Sequence, residues 1–229
     1  MLAIALFLNV PLGSAAEGAR TVTTGPTTNA TETTAGSAQA RGGFITSINL
    51  SSETQTLHWQ GYYGNVQGNI TLEDAAGKLL YRWAWQNTDT GEVYASESST
   101  VSWPNIQAGT NSNVNYVGGS AGSDSAADTF TITSTFNVTN KTLTGVPSTY
   151  TYNASNTSPA GGVQTSFFRM GVLNDTSANE VFVTILENNQ EGFDADGNTT
   201  TTGDQYDFQM IVPVNESSQT RYYFYLELS

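Results

Sequence analysis

From Gly43 onward, apolar side chains recur with a period of two, not 3.6. Phe44, Ile48 and Leu50 share one side of a predicted first strand, with Ile45 between them. In GNVQGNITLE, Val66, Ile70 and Leu72 share an inner side. Asp74 to Lys78 reads as a turn, with Gly77 placed for a positive φ. The return strand LLYRWAWQ puts Leu79, Tyr81, Trp83 and Trp85 on one side. Shorter strands are predicted from Val93 and over Thr100–Trp103. TFTITSTFNV alternates Phe130, Ile132, Phe136 and Val138 with outward threonines. SFFRMGVL, EVFVTILEN, QYDFQMIVPV and RYYFYLELS complete the set. The last two present Tyr206, Phe208, Met210 and Val212, then Tyr222, Phe224, Leu226 and Leu228. No segment carries a capped helical stripe. About 8–11 short strands separated by turns predict an all-β fold, an antiparallel β-sandwich of jelly-roll or Ig-like type.

The pattern also divides the chain. Residues 1–16 end in a small-x-small motif after the apolar run Leu2 to Leu8, and read as a signal-peptide-like segment. The other readings are an apolar tail used in assembly and a fragment of a pilin-type helix, the latter disfavoured by Pro11 and Gly13. The run is too short to span a bilayer, so no membrane span is expected in the mature chain. Residues 17–42 are Thr-rich and almost free of apolar side chains, a linker or N-terminal arm that buries too little to offset its ordering entropy. Residues 43–229 are the sandwich domain.

Charge narrows the partners. The net charge is −13 with only seven Lys and Arg, so there is no basic cluster for a phosphate backbone and no nucleic-acid partner is expected. Charged residues make up 12%, about half the usual share, so Thr, Ser, Asn and Gln must form the surface. The absence of cysteine removes disulfides, thiolate metal sites and cysteine nucleophiles together. With a leader-like start, it points to a prokaryotic exterior.

Ten Asn-x-Ser/Thr sequons begin at Asn29, Asn49, Asn69, Asn137, Asn140, Asn153, Asn156, Asn174, Asn198 and Asn215. Each is a candidate site for a covalent N-glycan on a secreted protein. Composition alone is the competing explanation in so Thr- and Asn-rich a chain. Asn49, Asn69 and Asn137 alternate with apolar neighbours and so face outward. The other seven fall in polar linkers or loops.

Catalytic constellations are thin. The single histidine, His58, can supply at most one member of a triad or metal site, and reads as a hydrogen-bonded strand residue. Asp207 is the nearest candidate for carboxylate chemistry, with outward placement expected. Asp194, Asp196 and Asn198 around Gly197 resemble a weak Ca²⁺ loop lacking a closing Glu, or else an acidic hairpin turn. No other cofactor is expected. Trp59, Tyr62 and Tyr63 could stack on sugars if exposed; with Trp83, Trp85 and Trp103 they otherwise form a core.

At WQGYYGNVQGNITL, Trp59 to Leu72, the chain resembles a group of uncharacterised archaeal secreted proteins with a W-x-G-[YF]-[YF]-G-N-V-x-G signature. Gly91 to Ser96, Val101 to Trp103, Asp207 to Pro213 and Tyr222 to Leu228 carry further parts of that resemblance. More loosely, the layout is similar to archaeal thread and bundling-pilus subunits. That resemblance implies a glycosylated β-sandwich joined by donor-strand exchange, with self-association into a homopolymer. Here the donor would be Phe44, Ile45, Ile48 and Leu50 behind a mobile arm. The expectation is a non-enzymatic, extracellular or cell-surface filament subunit. The alternatives are an adhesin or carbohydrate-binding module using surface aromatics, and a secreted hydrolase.

Overall fold

A computed structural model describes residues 17–19, 21–27, 29, 35–51, 55–85, 91–109, 151–157, 163–175, 179–187, 190–191, 204–214 and 218–228. All regular structure among them is β, apart from one 3-10 turn at Trp103–Asn105, and every strand pairing is antiparallel. The strands are β1 (Glu17–Gly18), β2 (Trp59–Gly64), β3 (Asn69–Glu73), β4 (Leu79–Ala84), β5 (Gly91–Ser96), β6 (Gln107–Ala108) and β7 (Thr151–Thr157). They continue as β8 (Val163–Asn174), β9 (Glu180–Ile185), β10 (Gln190–Glu191), β11 (Gln205–Tyr206), β12 (Phe208–Pro213) and β13 (Tyr223–Leu228).

The main sheet runs β1-β13-β5-β9-β8-β6, with β7 also on β8. β6 pairs with Leu173 and Asn174, and β7 pairs from Gly171 back to Val163, so the two follow each other along β8. Both faces of this sheet are covered. On one face Val93, Ala95, Met170, Val172 and Phe182 meet Met210 and Val212 of β12. β12 pairs with β2, and this ribbon lies over that face with Trp59, Tyr62 and Phe208 packed at its margin. On the other face Tyr94, Leu173, Val181, Val183, Ile185 and Tyr225 lie beneath Trp103 and Ile106. The Trp103 ring stands edge-on to both Tyr94 and Tyr225, with centroids 5.1 Å apart in each pair.

Burial on both faces explains where strict alternation misled. All six residues of β5 are buried, including Glu92. Glu92 lies directly opposite the buried Glu227 of β13. In β13 the predicted apolar side, Tyr222 to Leu228, is only partly buried, while Tyr225 and Glu227 on the other side are buried. The close approach of β5 and β13 needs Gly91, since a Cβ there would overlap the Glu227 carbonyl.

Three elements depart from expectation. The Thr-rich arm does contribute a strand: Glu17 and Gly18 pair with Leu226 and Tyr225, and Ala19 N–H donates to Phe224 O at 2.9 Å. Thr100–Trp103 forms no strand; Pro104 fits the first turn of the 3-10 segment that follows Ser102. Phe44–Leu50 is not paired as a strand. The Asp74–Lys78 turn is as predicted. Gly77 has φ 75°, and Asp74 Oδ1 accepts from Ala76 N–H and Lys78 N–H. The predicted strand Thr129–Val138 lies outside the described residues.

Candidate functional site: an unpaired segment and an uncovered hairpin

The segment expected to be the donor begins at a tight turn. Gly43 has φ 83°, Phe44 N–H reaches Arg41 O at 3.4 Å, and the Arg41 guanidinium sits 5.2 Å from the centre of the Phe44 ring. Only glycine takes that φ without strain. Beyond the turn Phe44, Ile45, Ile48 and Leu50 are all exposed, Leu50 by 91%. No described strand pairs with them. A stretch with large apolar groups in strand-like alternation is normally a buried strand, so its exposure sets it apart.

The β3–β4 hairpin is a second uncovered apolar feature. Ile70 lies opposite Trp83 and Leu72 opposite Tyr81, so these four share one side; beyond them the register shifts, and Glu73 pairs with Leu79. The predicted grouping holds for these four, but its burial does not: all four and Leu79 are exposed, Trp83 by 48%. The hairpin pairs with no other described strand. Trp85, expected with them, is instead buried in the main core and tied by its backbone N–H to Gly68 O at 3.1 Å.

The aromatic set thus splits. Trp59 and Tyr62 pack on the core, and Tyr62 stands edge-on to Phe224 at 5.1 Å. Burial pushes the Tyr62 phenol above its ordinary range. Tyr63 is exposed and rests against Tyr206 at 4.7 Å. The more exposed pair is Tyr81 and Trp83, 4.7 Å apart and tilted by 53°.

Asp207 is not outward. It is 5% exposed, and its Oδ2 accepts Val66 N–H at 2.8 Å. Its backbone joins Gly64 and Glu187, so the residue staples β2 to the β9 end. His58 precedes β2 in a bend; its carbonyl accepts Val214 N–H at 2.8 Å, and its own N–H donates to Thr56 Oγ1.

Of the sequons, Asn29, Asn49 and Asn69 are exposed. Asn153 and Asn156 fall on β7, not in a loop. Asn174 ends β8 and is 8% exposed, which corrects its placement in an open loop. A folded domain presents the first three more readily than Asn174. Asn137, Asn140, Asn198 and Asn215, with Asp194 and Asp196 of the Ca²⁺ expectation, lie outside the described residues. Among the described residues no three His, Asp or Glu side chains converge on a metal position, and no helix is long and apolar enough to cross a membrane.

A shallow cleft of about 450 Å³ is lined by Ser96, Glu97, Ser98, Asn179, Glu180 and Phe182. Burial is the main reason the Glu180 carboxyl is held above the usual carboxylate range. A hydrogen bond to its own backbone opposes the rise, and the charges of Glu97 and Asp175 add to it. The folded state then keeps a proton that the unfolded state has lost. Stability should therefore fall as pH rises from the ordinary glutamate value through the raised one. Glu180→Gln should remove that part of the slope, read as a flatter midpoint-against-pH curve in thermal melts.

No family model, no curated protein and no solved structure matches the chain.

Proposed function

We propose that the protein is a non-enzymatic, N-glycosylated structural subunit of an extracellular filament, assembling by donor-strand exchange. The observation that carries this reading is the unpaired, exposed segment Phe44–Leu50. Apolar strand material without a sheet is stabilised when a neighbour's sheet receives it. A head-to-tail contact of that kind propagates rather than closes. The cover of one main-sheet face by the β2–β12 ribbon supports a sandwich as the subunit body. The exposed sequons Asn29, Asn49 and Asn69 support a glycan coat. The resemblance to archaeal thread subunits supports a cell-surface setting.

A second reading, a carbohydrate-binding surface, is favoured by the exposed Tyr81–Trp83 pair rather than by Trp59, Tyr62 and Tyr63.

Electron microscopy of material from its native surface, with intact-mass analysis, tests the first reading. Regular fibres with a mass above the 24.4 kDa polypeptide are expected. A Phe44→Ser, Ile48→Ser double variant should lose the fibres while its unfolding free energy stays within about 0.5 kcal/mol of the parent, because both side chains are exposed in the monomer. Fibres that persist in this variant would sink the donor assignment. Discrete particles at polypeptide mass from the parent chain would sink the whole reading.

A further inference from the structure

We propose that the β3–β4 hairpin of one copy receives the Phe44–Leu50 segment of a second copy as its third strand; this rests on the filament reading and names the acceptor.

The hairpin needs a partner. Two strands alone are at best marginally stable in water, whereas three with an apolar face hold together. β3 and β4 pair only with each other among the described strands, and Ile70, Leu72, Tyr81 and Trp83 are left exposed on one side, with Leu79 exposed beyond the register shift. The segment after the arm supplies what is missing: a stretch with no described partner strand, whose alternation would put Phe44, Ile48 and Leu50 on one side once it is paired as a strand. Laid along an open hairpin edge with that side matched, it would continue the apolar surface by a third row.

The polar sides match as well. Asn49 alternates with Ile48 and Leu50, and Asn69 alternates with Ile70. In the joined sheet both sequons project from the side opposite the apolar one, so glycans on both would leave it clear. Within the segment Ile45 falls on the polar side, where it keeps its exposure, and Leu80 of the hairpin is likewise exposed outside the apolar group.

Charge favours this acceptor. Residues 33–52 carry Arg41 and no acid, in a chain of net charge −13. The hairpin balances Glu73 and Asp74 with Lys78 and Arg82. An acid-free stretch meeting a charge-balanced hairpin avoids the like-charge repulsion that two acidic bodies would otherwise experience. A second copy is the occupant because, within one chain, the segment and the hairpin face are exposed at the same time.

The absence of cysteine makes the test direct. Full-length Ser47→Cys chains are mixed with Arg82→Cys chains or with Thr71→Cys chains, and treated with a short bis-maleimide under assembling conditions. By the alternation, Ser47 lies on the polar side of the segment, and Arg82 and Thr71, which face each other across the hairpin, lie on that of β4 and β3. A covalent heterodimer is expected with one acceptor or the other. Its yield should fall by about tenfold when the acceptor also carries Tyr81→Ser and Trp83→Ser, the change that roughly 1.4 kcal/mol of lost contact produces. Fibres that form without either cross-link would overturn the hairpin as acceptor and leave the filament reading standing. Neither fibres nor cross-links would overturn both. A chain bearing Ser47→Cys and Arg82→Cys together that links internally, at a yield independent of concentration, would show the arm closing on its own hairpin and overturn the second copy. Saturable quenching of Trp83 by an oligosaccharide, without cross-links, would reassign the face to sugar binding.

Discussion

Phe182→Ala should lower the unfolding free energy by about 3–5 kcal/mol, the range for a large aromatic deleted from a close-packed site. Phe182 is fully buried in β9, opposite Ala95 on one neighbour and Val172 on the other. Its ring stands edge-on to Tyr222, with centroids 6.2 Å apart. Met210 and Val212 belong to the same core from the ribbon above. The site is therefore enclosed by strands from two sheets, and strands held by ladder hydrogen bonds cannot slide in to fill the hole. In a domain of this size the loss corresponds to a drop in thermal midpoint of roughly 6–20 °C. Phe182→Leu should cost only about 1 kcal/mol, because most of the volume is kept. Urea titration followed by tryptophan fluorescence measures both. Equal losses for the two variants would mean that the ring's shape, not its volume, carries the effect.

Asp175→Ala is expected to cost about 3 kcal/mol, through hydrogen bonding rather than volume. The carboxylate is 1% exposed at the start of the turn from β8 to β9. Its Oδ2 accepts Ser102 N–H at 2.9 Å and the Asn179 side-chain amide at 2.9 Å. Its Oδ1 accepts Asn179 N–H at 3.0 Å. One side chain thus closes the turn and anchors the loop that carries Trp103 and Ile106 over the sheet. Removing it strands two backbone donors in a site with little water, each at a cost of 1–3 kcal/mol by general experience. Asp175→Asn keeps one acceptor oxygen and should lose about half as much. Near-ultraviolet circular dichroism should lose the Trp103 signal in Asp175→Ala before secondary structure is lost. If the signal survives, the loop is held by its apolar contacts alone.

Asp175 shows why only part of this arrangement was legible in the sequence. Period-two patterning identified most strands and, in β3–β4, the right grouping of side chains. What a period cannot report is whether a given side meets another layer. Leu79, Tyr81 and Trp83 look like core residues by pattern, yet they are exposed. Glu92, Glu227 and Asp207 look like surface residues by type, yet they are buried because central strands are covered on both faces. Asp175 and Asn174 sit at the end of a long strand, where polar residues resemble a loop until contacts such as that of Asp175 with Ser102, 73 residues away, are known. Short-range chemistry fared better: the Asp74–Lys78 turn and its positive-φ Gly77 needed only local information. The segment at Phe44–Leu50 was legible as apolar and alternating, but that no described strand pairs with it depends on the fold and not on local sequence.

The position of β13 between β1 and β5 also sets a timetable. Tyr223 pairs with Ser96, and the Tyr225 hydroxyl donates to Ser98 O across 127 residues of chain. At ribosomal speeds of 5–20 residues per second, β5 waits roughly 6–25 s after synthesis before the strand that covers its edge exists. Contacts so distant in sequence also slow folding itself. During that interval the buried stretch Gly91–Ser96 is an open edge, able to capture another chain. A protein made this way gains from being kept extended, by a chaperone or a translocation channel, until both partners are available.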